Sequence, residues 1–146
     1  MQLLMRYTGL SDYSISCDLS SSTQSESAIG FLLAKYHDCR ENHIRCREGY
    51  VQYSLKETSN TVSFPSKLLD VGTAEHSLII LRNFVHDKEY VCLSHCWGDK
   101  KPFTLNAETQ SALYGGIHMT TLPKTFQDAI RVTRRLHIQY LWIDSL

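Results

Sequence analysis

The chain has 146 residues, 42% of them hydrophobic and 21% charged, and carries no net charge. That suits one globular domain with a core, while the neutral balance removes the electrostatic argument for a nucleic-acid partner or an anionic membrane surface. No stretch approaches the ~20 apolar residues of a membrane span, and Met1-Gln-Leu-Leu-Met-Arg-Tyr7 lacks the pattern of a secretory signal, so a cytoplasmic location is expected.

In chain order, Ser20-Ser-Ser-Thr-Gln-Ser-Glu26 is too polar to offset its ordering entropy and reads as loop. Thr23 and Glu26 have capping-box spacing. Ala28, Ile29, Leu32, Leu33 and Tyr36 then recur at helical spacing, predicting an amphipathic helix over 26–42 with a solvated end at His37–His43. Val51–Leu55 alternates as a strand would. Lys67-Leu-Leu-Asp-Val-Gly72 reads as a short extended stretch with a glycine stop. Ser77–Leu81 is a β-branched run suited to a strand, and with Tyr90–Ser94 it predicts a hairpin around a polar loop.

The cysteines are Cys17, Cys39, Cys46, Cys92 and Cys96. An odd number favours reduced thiols. Cys39, His43 and Cys46 invite a metal reading, but structural zinc takes four ligands and no second knuckle follows; no metal and no cofactor are expected from the residues themselves. Cys92 sits in an apolar run and reads as a small core residue rather than a nucleophile.

Asp99-Lys-Lys-Pro102 marks a surface loop. Asn106 is placed to cap a short helix through Tyr114, ended by Gly115-Gly116. Pro123 then opens a longer helix whose inner stripe is Phe126, Ala129, Ile130, Thr133 and Leu136, with Arg134 and Arg135 in its last turn. Tyr140–Ile143 is a continuous apolar strand, of the kind covered on both faces. Strand 90–94, helices, strand 139–143 is a β–crossover–β pattern. With the two strands parallel, Ser94 and Asp144 share the carboxyl edge, where open α/β sheets bind ligands.

Two segments carry a family resemblance. Tyr90, Leu93, Ser94, Trp97 and Gly98 fit Y-x-x-L-S-Y-x-W-G, with His95 in place of the usual Tyr. Leu122, Pro123, Thr125, Phe126, Asp128, Ala129, Ile130, Val132, Thr133, Arg134, Leu136, Tyr140, Leu141, Trp142, Ile143, Asp144, Ser145 and Leu146 fit L-P-x-T-F-x-D-A-I-x-V-T-R-x-L-G-x-x-Y-L-W-I-D-S-L, with His137 for the common Gly. Order, spacing and rare residue types together resemble the fungal heterokaryon-incompatibility (HET) domain over 90–146. The expected division is a flexible segment 1–24, a flanking region 25–89 with a helix and short strands, and the N-terminal portion of a HET domain over 90–146. The family pattern continues beyond Leu146, so the chain reads as the front of a larger domain, inactive as a fragment.

The resemblance implies an α/β fold, a partial three-layer sheet similar to Toll/interleukin-receptor (TIR) domains. It implies nonself recognition between fungal strains and programmed cell death, with protein partners such as incompatibility factors or further copies of the chain. Some TIR domains cleave NAD, so the complete domain is expected to have room for NAD, with the catalytic glutamate on a later helix.

The candidate ligand crevice is Ser94, His95, Trp97, Gly98 and Asp144. Each has a plainer alternative. Trp97 and Gly98 suit a strand-end turn with a core lid. Ser94 and His95 are adjacent on a strand and face opposite ways, a poor geometry for a nucleophile and its base. Asp128 suits an ion pair with Arg131 or Arg135. Asp144 either caps the next loop or lines the crevice. Arg134 either packs or holds Asp144 or a phosphate through its planar fork.

Overall fold

The computed structural model describes residues 22, 24–44, 65–74, 77–83, 88–96 and 103–146. Val51–Leu55, Cys17, Cys46, Thr23, Trp97, Gly98 and Asp99 lie outside them. The elements run α1 (Glu26–Asn42), β1 (Lys67–Asp70), β2 (Ile80–Asn83), β3 (Tyr90–Leu93), α2 (Ala107–Gly115), a 3₁₀ turn (Met119–Thr121), α3 (Lys124–Arg135) and β4 (Tyr140–Ile143). Among the described residues, four strands and three helices make a mixed α/β fold.

The sheet order is β2-β1-β4-β3. β3 and β4 are parallel, with Tyr90 beside Tyr140 and Leu93 beside Ile143. β1 is antiparallel to both β4 and β2, with Leu69 facing Leu141 on one side and Leu81 on the other. The expected hairpin of 77–84 with 90–94 is therefore corrected. β2 folds back on β1 after the connection 71–79, which opens with a turn at Gly72, and β3 lies at the far edge, with β1 and β4 between it and β2. Strands from 67–83 and from 90–146 thus share one sheet.

The β1–β2 turn explains that choice. Gly72 adopts φ +62, and a Cβ there would come within 2.4 Å of Ser77 Cβ. Gly72 N–H donates to Asp70 Oδ1 at 3.1 Å, and Gln139 Nε2 donates to the same oxygen at 3.0 Å. Only glycine tolerates both the left-handed backbone and that approach. A closed turn here pairs β1 with β2 before β3 is reached.

Leu69, Val71, Ile79, Leu81, Leu113, Leu122, Phe126, Ile130, Leu141 and Ile143 form one core on one face of the sheet, under α2 and α3. Leu113 comes from α2, and α3 supplies Phe126, Ile130 and Thr133 at helical spacing, as its sequence predicts. β4 departs from expectation. Leu141 and Ile143 are buried while Tyr140 and Trp142 are half-buried, so the strand is fully covered on one face only. The opposite face of the sheet carries Leu68, which is buried but lies outside this core. α1 has no buried residue and adds nothing to this core. Cys92 is corrected too: Val91 and Leu93 take the core side, strand alternation turns Cys92 away, and it is exposed.

The helix ends follow local rules. Asn106 Oδ1 accepts from Glu108 N–H and Thr109 N–H, each at 3.0 Å, while Thr109 Oγ1 accepts from Asn106 N–H at 2.8 Å. This is a reciprocal capping box. α1 is capped by Ser25, whose hydroxyl accepts from Ala28 N–H at 3.2 Å. At the end of α3, Ile138 N–H reaches Thr133 O at 3.2 Å and His137 adopts φ +58. That is the left-handed C-terminal residue at which glycine is favoured. His137 is exposed, so its side chain gives little packing in return. His137→Gly is expected to raise stability by about 0.5–1 kcal/mol, the relief of left-handed strain less the added freedom of the unfolded chain. Urea unfolding reads it, and an unchanged or lower midpoint would show that the imidazole makes up for the strain.

Candidate functional site

The parallel register brings the sequence-predicted residues together. Leu93 and Ile143 are neighbours at the ends of β3 and β4, so Ser94 and Asp144 leave the sheet side by side at its carboxyl edge. α3 runs back against β4, which puts its first turn at the same edge and its last turn at the opposite one. Ser94 is exposed. His95 turns under α3, with its ring edge-on to Phe126 at 5.2 Å between centroids and 86° between planes. The two neighbours do part company, as strand alternation predicts.

The partner of His95 comes from the next strand. Its Nδ1 lies 3.2 Å from Asp144 Oδ1, with side-chain exposures of 15% and 30%. The atom is buried and makes no aligned hydrogen bond, so the two groups are in close contact without a formed N–H···O bond. Ser145 Oγ, one residue on, is also buried without a hydrogen-bond partner. Ser145 O accepts from Leu105 N–H at 3.0 Å, which draws the loop before α2 over the end of β4. A carboxylate, an imidazole and two hydroxyls from two adjacent strand ends thus share one edge. Of these, Ser94 and Asp144 are exposed and offer a donor and acceptors to a polar ligand, while His95 Nδ1 and Ser145 Oγ are buried behind them. Trp97 and Gly98 lie outside the described residues.

The His95–Asp144 pair escaped sequence reasoning because it crosses strands and forms only after β3 ends at Leu93. The available signal was the parallel register, which sets the residues after 93 beside those after 143.

Other motif residues have structural work. Asp128 Oδ1 accepts from Lys124 Nζ and Arg131 Nη1, each at 2.7 Å, and these cations hold its carboxyl below the usual carboxylate range. Arg135, the other expected partner, instead meets Glu26. Arg134 does not approach Asp144. Its Nε and Nη2 donate to Val71 O at 2.8 and 2.6 Å, and Nη2 donates to Ser77 O at 3.1 Å. The reason is topological: the last turn of α3 lies at the amino edge of β4. Leu122 is buried, Pro123 occupies the N-cap of α3, and Ala129 packs on the core margin. Tyr90 and Trp142 lie in β3 and β4 on the face away from the core.

Although Cys92 as a residue is exposed, partial burial of its thiol pushes it above its usual range, which disfavours the thiolate and suits a spectator. Among the described residues no three His, Cys, Asp or Glu side chains group as metal ligands, and no helix is long and apolar enough to cross a membrane.

An α/β module with a parallel β–α–β unit and a polar carboxyl edge is the class defined by this geometry. Residues 90–146 match the family model described as heterokaryon incompatibility protein (HET), so the resemblance carried by the two motifs holds over that segment. No curated protein and no solved structure matches the chain.

Proposed function

We propose that the chain is a heterokaryon-incompatibility module, acting in nonself recognition between fungal cells and in the death response that follows fusion of incompatible ones. The observation that carries this reading is the match of residues 90–146 to the HET family. Its partners are proteins, either incompatibility factors or further copies of the chain. The carboxyl edge of β3 and β4 is the surface through which a ligand acts, as in open α/β sheets generally. The test is deletion of the gene in one of two strains that differ at this locus, followed by fusion. Deletion is expected to restore viable heterokaryons; unchanged viability across tester strains would overturn the reading.

A TIR-like, NAD-hydrolysing activity is the second reading, favoured by one observation: Asp144 stands partly exposed at the carboxyl edge beside an imidazole. Breaking the nicotinamide–ribose bond passes through an oxocarbenium-like state that a carboxylate stabilises. Asp128 is paired on the helix surface, Asp70 faces Arg82 and Gln139 at the far end of β1, and Glu89 is paired with Arg40. Asp144 is thus the acid carried by the strand ends at this edge, and one carboxylate without a supporting shell gives little rate gain. Residues 1–146 expressed in a fungal host are expected to leave cellular NAD unchanged. Cell death with NAD loss, abolished by Asp144→Ala, would instead make Asp144 the catalytic group.

A further inference from the structure

α1 has 17 residues and none of them is buried. Ile29, Leu33 and Tyr36 are half-buried along one stripe, while Phe31 and Leu32 remain 44% and 40% exposed on the other side. Apolar burial along this helix is therefore only partial. Its two ends are held by charge. At the start, Glu26 meets the guanidinium of Arg135 through both oxygens, at 2.5 and 3.1 Å. At the end, Arg40 Nη1 donates to Glu89 Oε1 at 2.6 Å and to Tyr36 Oη at 2.8 Å, while Tyr36 O–H donates to the same Glu89 oxygen at 3.3 Å.

We infer that α1 is an electrostatic clasp, docked on the sheet domain in one orientation by two ion pairs of opposite polarity and released by ionic screening. The orientation follows from the charge order. A reversed helix would set Glu26 against Glu89 and Arg40 against Arg135, so wrong docking is opposed by like charges. Release follows from exposure. The side chains of Arg40 and Glu89 are 53% and 52% exposed, and those of Arg135 and Glu26 47% and 79%. Pairs this open to solvent are weak and are screened by salt. The position isolates the device. Arg135 ends α3 and Glu89 precedes β3, so both anchors lie at the amino edge of the parallel strands, away from Ser94, His95 and Asp144. The clasp opens without dismantling the carboxyl edge. The inference does not rest on the HET reading, because α1 lies outside residues 90–146.

Cys39, a reduced and half-buried thiol on α1, is the reporter, and exposed Cys92 and Cys96 are internal controls. Alkylation of the full chain is followed site by site by mass spectrometry. Cys39 is expected to react roughly threefold to tenfold faster at about 1 M than at about 0.01 M salt, relative to Cys92 and Cys96. Arg135→Glu is expected to give the fast rate at low salt, and the swap Glu26→Arg with Arg135→Glu to restore the slow one. The native salt series needs no substitution, so it remains decisive if a variant fails to fold. A Cys39 rate that ignores salt overturns the clasp, and so does a swap variant, folded by near-UV circular dichroism, that stays fast.

Discussion

Arg134→Ala is expected to lower stability by about 2–4 kcal/mol, because it removes charge-assisted hydrogen bonds and strands the carbonyls they served. The guanidinium makes three contacts with two backbone oxygens, Val71 O and Ser77 O, and Val71 is wholly buried. Those oxygens belong to the turn that joins β1 to β2, so Arg134 pins the end of α3 to the antiparallel half of the sheet. Arg134→Lys tests the mechanism. An ammonium is a point donor and cannot repeat the planar fork, so about half of the loss is expected to remain. Urea unfolding of both variants reads the effect. A lysine variant as stable as the native chain would show that charge alone suffices, and an alanine variant within about 0.5 kcal/mol of native would show that Arg134 does not staple α3 to the sheet.

Phe126→Ala is expected to cost about 3–5 kcal/mol, the usual range for deleting a buried aromatic ring. Phe126 is 2% exposed and stands at the centre of the core, edge-on to both His95 and Phe103. Edge-to-face pairs add to simple burial, so Phe126→Leu is expected to recover most, but not all, of the loss. The substitution also reaches the candidate site, because the ring is the wall against which His95 rests. In Phe126→Leu the imidazole proton signals of His95 are expected to shift and broaden in NMR spectra. A sharp, unshifted His95 signal together with a native unfolding midpoint would show that the ring neither holds the core nor orients the imidazole.

The elements with local signals were legible in the sequence. α1 falls on 26–42, Asn106 caps α2, Gly116 ends it, and α3 buries Phe126, Ile130 and Thr133 as its spacing predicts. Caps and helical stripes depend on residues within about four positions, so one segment contains its own evidence. The parallel relation of β3 and β4 was also readable, because a helix between two apolar runs leaves few topologies. Through that relation Ser94 and Asp144 could be set at one edge from residue order alone.

Other features were decided by contacts between distant segments. Ser77–Leu81 and Tyr90–Ser94 are both plausible hairpin arms; the Gly72 turn and the staple from Arg134 commit β2 to β1 instead. An apolar run such as Tyr140–Ile143 does not state how many of its faces are covered, and here α2 and α3 cover one. Arg134 and Asp144 are ten residues apart in sequence and lie at opposite edges of the sheet, because α3 and β4 run antiparallel. His95 and Asp144 are far apart in sequence and meet because parallel register aligns two strand ends. Charge and periodicity along a chain fix which residues form an element and which face it buries. Which strand lies beside which, and therefore which side chains share an edge, is fixed by packing between segments, and no local pattern records it.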